Sequence, residues 1–462
     1  MKAINFICFV LLLVFTPIRV TGQEEIFGID EYLALIKKHH PVIKQANLKL
    51  SQAEEKLLKA RGLFDPKLGG KVKQKDFKGT EYYDLWQGEI KIPTWFGVEL
   101  QTQYNLTEGN YVNRQNITPE EGLWAVGVSL PLAKDLLYDD RRNALKQAKI
   151  FQDSERIQRD IKTNEILTKA LKAYSYWILY YENKQVYKTF LENAITRNQG
   201  VVKKALAGDI PTIDTLETHL FVKKQELAFN EAKLQEQKAK LVVSNFLWVE
   251  NVPLAITEEL VPDSNIKMAQ LVPNLIGLNN FQVNQHPQVQ LLENDLTAQD
   301  YNLRLKRNNL LPDLRIKYNF LTEQWSDQPI FNENDYTFGV AFRFPLFLRK
   351  ERADVRIAKY EIEKLSYEKS ALAYRLENDI KAQRVLINTQ IKQLEILQEI
   401  VDGSEKLVKA EQRLFALGES SIFLINSRDN KFIENRIKLN KVKNKLNLAY
   451  AELISLLQPK ID

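Results

Sequence analysis

The chain has 462 residues, of which 44% are hydrophobic and 27% are charged, with one cysteine, 17 glycines and 15 prolines. This composition excludes a disordered chain, a collagen-like fibre and a disulfide scaffold. Lys and Arg number 65 against 59 Asp and Glu, giving a formal charge of +6. That charge is too small, for a chain of this size, to indicate a nucleic-acid partner.

Residues 1–22 have the pattern of a secretory signal peptide. A basic start precedes an apolar stretch over residues 4–15, and small residues occupy 20–22, as in a cleaved leader. Pro17 and Arg19 prevent the stretch from extending further, whereas a membrane-spanning helix needs about 20 apolar residues. The one cysteine, Cys8, lies inside this segment. We therefore expect neither disulfides nor thiolate sites in the mature protein.

Two halves of the chain share one order of landmarks. Two proline landmarks recur at a displacement of 246 residues: His40-Pro41 with His286-Pro287, and Pro66 with Pro312. In each half, alternating segments, a very long helical stretch, a glycine and a second helix follow in the same order. This order indicates an internal duplication.

The duplication predicts two structural repeats with a connector between them. The first repeat, residues 23–248, would hold a short helix, strands within 67–132, a long helix over 139–206 and a medium helix over 212–248. The second, residues 281–462, would hold a short helix, strands within 314–346, a long helix over 349–417 and a medium helix over 421–457. Residues 249–280 form the connector.

Several segments alternate between apolar and polar residues with a period of two, which is typical of strands. The shared apolar positions are Phe96, Val98, Leu100, Thr102, Tyr104 and Leu106; Trp124, Val126, Val128, Leu130 and Leu132; Leu314, Ile316, Tyr318 and Phe320; and Tyr336, Phe338, Val340, Phe342, Phe344 and Leu346. Nearby tryptophans are compatible with the aromatic girdle of a membrane barrel. A β-sandwich with a half-buried sheet is the alternative.

The long helices favour the membrane alternative. Each predicted long helix, 139–206 or 349–417, would extend about 100 Å, more than a globular core needs. Two adjacent apolar seams on the first one predict a neighbour on each side, as in the wall of a tube. The seams are Ile166, Ala170, Ala173, Trp177 and Tyr180, and Leu167, Leu171, Tyr174, Ile178 and Tyr181. A two-helix coiled coil is the alternative.

The number of strands limits how they could enter a membrane. After residue 22 no window approaches 18 consecutive apolar residues, so only strands could cross a bilayer. The strand segments amount to four to six strands, and a spanning barrel needs about eight. Strands in a membrane would therefore require an oligomer that shares one barrel.

With these features the sequence resembles the TolC family of outer-membrane efflux proteins over essentially the whole mature chain. The resemblance rests on the duplicated His-Pro helix starts and on further motifs: Leu130-Pro131-Leu132, Phe344-Pro345-Leu346, Arg349-Lys350-Glu351-Arg352-Ala353, and the glycine turns Leu206-Ala207-Gly208-Asp209-Ile210 and Leu417-Gly418-Glu419-Ser420-Ser421.

The resemblance implies a mainly α-helical fold with membrane β-strands. Long α-helical hairpins would form a periplasmic tunnel, with the connector at its equator. The strands would join a β-barrel in the outer-membrane lipid, shared by a homotrimer. The implied function is a passive exit duct, without catalysis or cofactor, fed by an inner-membrane pump through a periplasmic adaptor (membrane fusion) protein. The barrel would have about 12 strands if the added hairpin around residues 90–106 stays outside the membrane, and about 18 if it enters.

The resemblance also places the periplasmic tip and adaptor contact at the glycine turns, with Gly208, Asp209, Gly418 and Glu419. Family members carry aspartates six and nine residues after the second glycine, where they form the narrowest ring. This chain has Leu424 and Ser427 there, so we expect no such ring from the second repeat. Asp214, six residues after the first glycine, is the candidate gating residue, and a helix N-terminal charge is its alternative role.

Three other functions are alternatives to the exit duct. The chain could be the exit channel of a type I protein secretion system, which the sequence does not separate from small-molecule efflux. It could be a trimeric coiled-coil structural protein without a pore, although the alternating strands count against this. It could be an enzyme, but the sequence shows no recognisable set of catalytic residues. The histidines precede prolines or stand alone, which favours a role at helix starts over a metal site.

Overall fold

The structure is a computed structural model that describes residues 25–266, 282–325 and 332–459. The chain divides into two compact units. The helical unit comprises Met1–His40, Lys169–Met268 and Gln390–Leu448, and the sheet unit comprises Pro41–Thr168, Ala269–Thr389 and Ala449–Asp462. The predicted signal peptide lies outside the described residues, as does the connector from residue 267 onward.

Elements are numbered in chain order. The helices of the described residues are α1 (Ile29–His39), α2 (Pro41–Arg61), α3 (Asp140–Leu206), α4 (Ile213–Ser244), α5 (Pro287–Asn308), α6 (Arg349–Ala416) and α7 (Ile422–Leu457). The longer strands are β2 (Lys67–Phe77), β3 (Thr80–Pro93), β4 (Glu99–Glu108), β5 (Leu123–Pro131), β9 (Asp313–Thr322) and β10 (Tyr336–Arg343). The short strands are β1 (Glu25–Phe27), β6 (Trp248–Val249), β7 (Val252–Pro253) and β8 (Leu260–Pro262). This mostly helical fold with a β portion confirms the predicted fold class.

A buried tyrosine organises the core of the helical unit. The Tyr174 hydroxyl on α3 donates a hydrogen bond to the Phe27 carbonyl at 2.6 Å and accepts one from the Asp263 N–H at 2.9 Å. Phe27 ends β1, which pairs in parallel with β8 just before Asp263. Burial raises the pKa of Tyr174, so the hydroxyl keeps the proton that it donates. One side chain therefore holds two distant segments on α3.

Within the helical unit, α3 has a neighbour on each side, as its two apolar seams predict. Asn440 on α7 donates to Asn183 at 3.0 Å, and the next residue, Lys184, forms a 2.7 Å ion pair with Glu236 on α4. Buried polar groups of this kind are costly unless they are paired. These pairs therefore favour one alignment of the three helices over shifted ones.

In the sheet unit, six strands of the described residues form one antiparallel sheet in the order β10-β9-β5-β4-β3-β2. Two of its turns follow from local sequence. Lys78 and Gly79 both have positive φ, as a two-residue hairpin turn requires. Gly97 has φ +97, and the Thr94 hydroxyl donates to the Val98 carbonyl across that turn at 2.6 Å.

Three element ends differ from the predicted ones by three residues or more. Phe96 and Val98 lie in the Gly97 turn, before β4 begins at Glu99. Strand β10 ends at Arg343, short of the expected end at 346, because Pro345 has no N–H to continue the ladder. Helix α4 ends at Ser244 instead of 248, because residues 248–253 turn back as the β6–β7 hairpin.

Gly127 on β5 gives a test of the sheet packing. Gly127 pairs with Gln101 of β4 on one side and with Asn319 of β9 on the other. The Gln101 side chain donates a hydrogen bond to the Asn319 side chain across β5 at 2.6 Å. A Cβ at Gly127 would lie 1.9 Å from the Tyr318 carbonyl oxygen. We expect Gly127→Ala to destabilise the protein by at least about 2 kcal/mol, measured as a lower melting temperature by circular dichroism. Gly339→Ala on β10, where a Cβ meets nothing within 4 Å, is the control, and equal melting of the two variants would contradict the packing.

His286 gives a pH-dependent test. Its Nδ1 accepts from the Gln288 N–H at 3.3 Å and caps α5, while Nε2 lies 3.0 Å from the Leu456 carbonyl. The neutral ring with its proton on Nε2 satisfies both contacts. Burial lowers the pKa of His286, so the unfolded chain binds the proton more readily. The stability from this cap is complete above the unfolded pKa, about 6.5, and is lost as pH falls through the folded value.

We therefore expect the melting temperature of the native chain to fall more steeply than that of His286→Asn between about pH 7.5 and 5. Asparagine retains a capping oxygen that does not titrate in this range. Parallel pH profiles for the two proteins would show that His286 does not act as a neutral cap.

Candidate functional site

The first candidate site is the six-stranded sheet, whose apolar face is exposed. The strand register places one set of side chains on this face: Leu68, Val72, Trp86, Ile90, Ile92, Leu100, Leu106, Trp124, Val126, Val128, Leu130, Leu314, Ile316, Tyr318, Phe320, Phe338, Val340 and Phe342. Leu68 is 83% exposed and Phe342 is 69% exposed. Soluble monomers rarely expose a contiguous apolar surface of this extent.

The opposite face is polar and partly buried. Gln101 is only 4% exposed and Ser129 only 2%. Asn319 accepts from Gln101 at 2.6 Å and donates to Thr337 at 3.0 Å, so one hydrogen-bonded row extends from β4 to β10. In its central strands the sheet is therefore inverted relative to that of a soluble protein, because polar side chains are buried on one face while apolar side chains are exposed on the other.

Aromatic rings gather near the ends of the strands that lie away from the helices. Trp124 lies 4.8 Å from Tyr104 and 5.0 Å from Trp325 between ring centroids, and Tyr318 stacks on Tyr336 at 5.4 Å. A ten-residue strand such as β9 rises about 34 Å along its axis. At a tilt of about 40° it would cover about 26 Å, close to the apolar band of outer-membrane strands.

The second candidate site comprises the two glycine turns, both in the helical unit. Gly208 has φ +83 and Gly418 has φ +82. In both turns the next residue donates back over the helix end: Asp209 N–H to Lys204 at 3.0 Å, and Glu419 N–H to Leu414 at 2.9 Å. This is a Schellman cap, which requires the left-handed conformation that glycine adopts without strain. The repeats thus end their long helices with the same device.

The other predicted tip residues lie at the starts of α4 and α7. Asp214 is half-buried in the first turn of α4, where the positive end of the helix dipole favours an acid. Leu424 and Ser427 are exposed on α7. Near the turns, the Lys204 ammonium lies 5.4 Å from the centre of the Phe415 ring, so the ends of α3 and α6 lie side by side.

An ion pair near these turns was not predicted from the sequence. Arg197 on α3 donates to Asp429 on α7 at 2.5 Å and to Asn426 at 2.9 Å. The Asp429 side chain is buried, and the Arg197 side chain is mostly buried. Burial raises the pKa of Asp429, and the Arg197 guanidinium opposes that rise. The cluster ties α3 to α7, which come from different repeats.

Helices α4 and α7 also border a groove of about 560 Å³. Its walls carry the exposed apolar side chains Leu220 and Phe423 beside the charged residues Glu217, Lys224 and Arg428.

In the part of the chain that the structure describes, no group of three or more His, Cys, Asp or Glu could hold a metal ion. None of the described helices combines the length and apolarity needed to cross a bilayer.

Comparisons with known proteins agree with this architecture. Residues 282–457 match the family model for outer membrane efflux proteins. No curated relative matches the sequence. The fold is similar to that of the Campylobacter jejuni CmeC outer membrane channel, with 14% identity, 93% of this chain and 85% of that chain covered, and a TM-score of 0.63.

Two further solved structures share the fold. The Vibrio cholerae outer membrane protein VceC is 12% identical, with 94% of this chain and 97% of that chain covered and a TM-score of 0.64. The open-state Neisseria gonorrhoeae MtrE outer membrane channel is 11% identical, with 94% and 89% covered and a TM-score of 0.63. The predicted resemblance to outer-membrane efflux channels is thereby confirmed.

The buried ion pair predicts an asymmetric mutational result. Arg197→Met leaves the Asp429 carboxylate buried without its partner, which we expect to cost about 3–5 kcal/mol. Replacing both residues, as Arg197→Met with Asp429→Leu, should recover most of that loss. Denaturant unfolding followed by circular dichroism measures both effects.

A matched control is Arg156→Met on α3, because its pair with Asp153 is solvent-exposed. This change should cost no more than about 1 kcal/mol. A double variant as unstable as Arg197→Met alone would show that the buried carboxylate is not the source of the loss.

Proposed function

Residues 282–457 match the family model for outer membrane efflux proteins, and from this match and the fold we propose that the chain is the outer-membrane exit duct of a tripartite efflux system. It would conduct substrates passively, with an inner-membrane pump and a periplasmic adaptor supplying them. The single observation that carries the proposal is the inverted sheet, in which apolar side chains are exposed while Gln101 and Ser129 are buried. An apolar outer face and a polar inner face are what a strand needs between lipid and water.

The edges of the sheet support a shared barrel. Strands β10 and β2 are the two ends of the strand order, and in hydrocarbon their backbone groups could not be left without partners. With six antiparallel strands the two edge strands run in opposite directions, so β10 of one copy can pair antiparallel with β2 of the next. A homotrimer would then form a barrel of about 18 strands, in the size range that leaves an aqueous channel.

The periplasmic tip is proposed to be at the two glycine turns. Gly208, Asp209, Gly418 and Glu419 lie exposed at the helix ends, and the groove between α4 and α7 joins apolar and charged walls. This groove suits the apolar face of an adaptor helix, with charged residues at its rim. Asp214 is proposed as the gating acid, although its position in the first turn of α4 also suits a purely structural helix charge.

The alternatives have less support. A coiled-coil protein without a pore would not explain why the apolar face of the sheet is exposed. An exit channel for a secreted protein would need the same sheet and the same turns. It differs only in what passes through, which the partners would determine. The chain's structural relatives are channels, and the proposal assigns no catalysis to it.

Single-channel recording in a planar lipid bilayer tests the proposal. The purified chain should give discrete conductance steps, and Asp214→Ala should give larger steps if this acid lines the constriction. Glu226→Ala on the same helix is the control, because that side chain is largely exposed and its ion pair among the described residues is with Lys223 at 2.9 Å. An inserted trimer that shows no conductance would contradict the duct, and equal steps in all three proteins would remove Asp214 from the gate.

A further inference from the structure

The polar face of the sheet carries many more cations than anions. Its basic residues are Lys67, Lys71, Lys73, Lys75, Lys91, Arg315, Lys317 and Arg343. Its acidic residues are Glu89, Glu99 and Asp313. Half of the basic residues belong to one strand, β2, at every second position except Gly69.

The acids on this face already have cationic neighbours. Glu89 pairs with Lys91 at 2.7 Å and Glu99 pairs with Arg141 at 3.2 Å. Asp313 lies directly opposite Arg343 in the β9–β10 register. These pairs reduce the charge of their surroundings, and none of them includes a lysine of β2.

The lysines of β2 face no acid across the strand pair. Lys71 lies opposite Gln87, Lys73 opposite Leu85 and Lys67 opposite Lys91. Among the described residues, none of these three forms an ion pair with a carboxylate. Like charges directly opposite each other, as at Lys67 and Lys91, destabilise a sheet slightly. The row therefore adds no ion pair directly across β2 and β3, so its charge is available for a role outside folding.

The position of the row determines where its charge acts. Leu68 and Val72 alternate with these lysines and lie on the exposed apolar face. If that face contacts lipid, the ammonium groups lie on the water-filled side, because a charge turned toward the bilayer midplane would cost about 2–4 kcal/mol. Low-dielectric walls then focus the positive potential into the lumen.

We propose that the membrane-embedded part of this duct selects for anionic solutes, with Lys71, Lys73 and Lys75 of β2 as the selecting residues. This inference rests on the proposed function, since it needs the polar face to line a lumen. It goes beyond that function by naming the charge class of what passes. Each copy in the assembly would add its own lysine row, so the positive charge would recur around the lumen.

A competing explanation is that the lysines protect an edge strand from pairing with other chains. Edge protection predicts that their loss promotes aggregation and leaves ion selectivity unchanged. Anion selection predicts the opposite. The ion selectivity of channels that lack these lysines separates the two explanations.

The test is the reversal potential of single channels in a planar bilayer under a KCl gradient. It uses the native chain, the triple variant Lys71→Gln, Lys73→Gln, Lys75→Gln, and the charge-preserving triple variant with arginine at the same positions. Recording near 0.1 M salt matters, because the screening length is about 10 Å there and only about 3 Å at 1 M. Size-exclusion chromatography of each protein monitors aggregation.

We expect the native and arginine proteins to favour chloride over potassium by about threefold or more, and the glutamine variant to approach a ratio of about one. A conducting native channel that favours potassium, or an unchanged ratio in the glutamine variant, would overturn the anion proposal while leaving the duct intact. Absence of conductance in all three inserted proteins would overturn the duct and the anion proposal with it.

Discussion

Backbone hydrogen bonding in an apolar solvent is the constraint on which the account of this chain depends. A strand in hydrocarbon must pair on both sides, because no water is present to satisfy its N–H and C=O groups. Six strands pair with one another here, and β2 and β10 are the remaining edges. The open apolar face and the two edges of opposite direction thus lead to the same proposal, in which further copies of the chain complete the wall.

The helical unit meets a different requirement, which is to align long helices that could otherwise slide. Apolar seams alone tolerate a shift of one heptad, whereas buried polar pairs do not. Asn183 with Asn440 and Arg197 with Asp429 each join α3 to α7. Each connects the two repeats across more than two hundred residues of sequence. The duplicated chain is therefore joined by specific polar contacts as well as by packing.

The sequence predicts the local features well. Strict alternation over Leu314 to Phe320 and over Tyr336 to Phe342 identifies both the strands and the apolar face, and the structure has these residues on one face. The glycines at 208 and 418 identify the helix ends because a Schellman cap needs left-handed backbone. Strand β2 is harder to recognise, because lysines and glycines dominate it and Leu68 and Val72 are its apolar markers.

Contacts between residues that are far apart in the chain cannot be predicted from this one sequence. Nothing near Gln101 indicates that it donates to Asn319, 218 residues away, and nothing near Arg197 indicates Asp429. The hydrogen bond between Gln101 and Asn319 passes over Gly127 of β5 and leaves no room for a side chain there. The requirement for glycine at position 127 can therefore be recognised only once the strand pairing is known. The predicted gate residue Asp214 is placed by the structure at a helix start, and its functional role stays a prediction.

The most direct test of the central claim is the depth and side of two neighbouring residues of β10. In a chain with Cys8→Ser, single cysteines at Val340→Cys and Gly339→Cys would carry a fluorophore, and brominated lipids in the vesicle would quench it by contact. Val340 is on the apolar face and Gly339 is on the polar face, where an added Cβ meets nothing within 4 Å. If the apolar face contacts lipid, quenching is strong at position 340 and weak at position 339. Equal quenching, or quenching at position 339 alone, would show that the apolar face does not contact lipid.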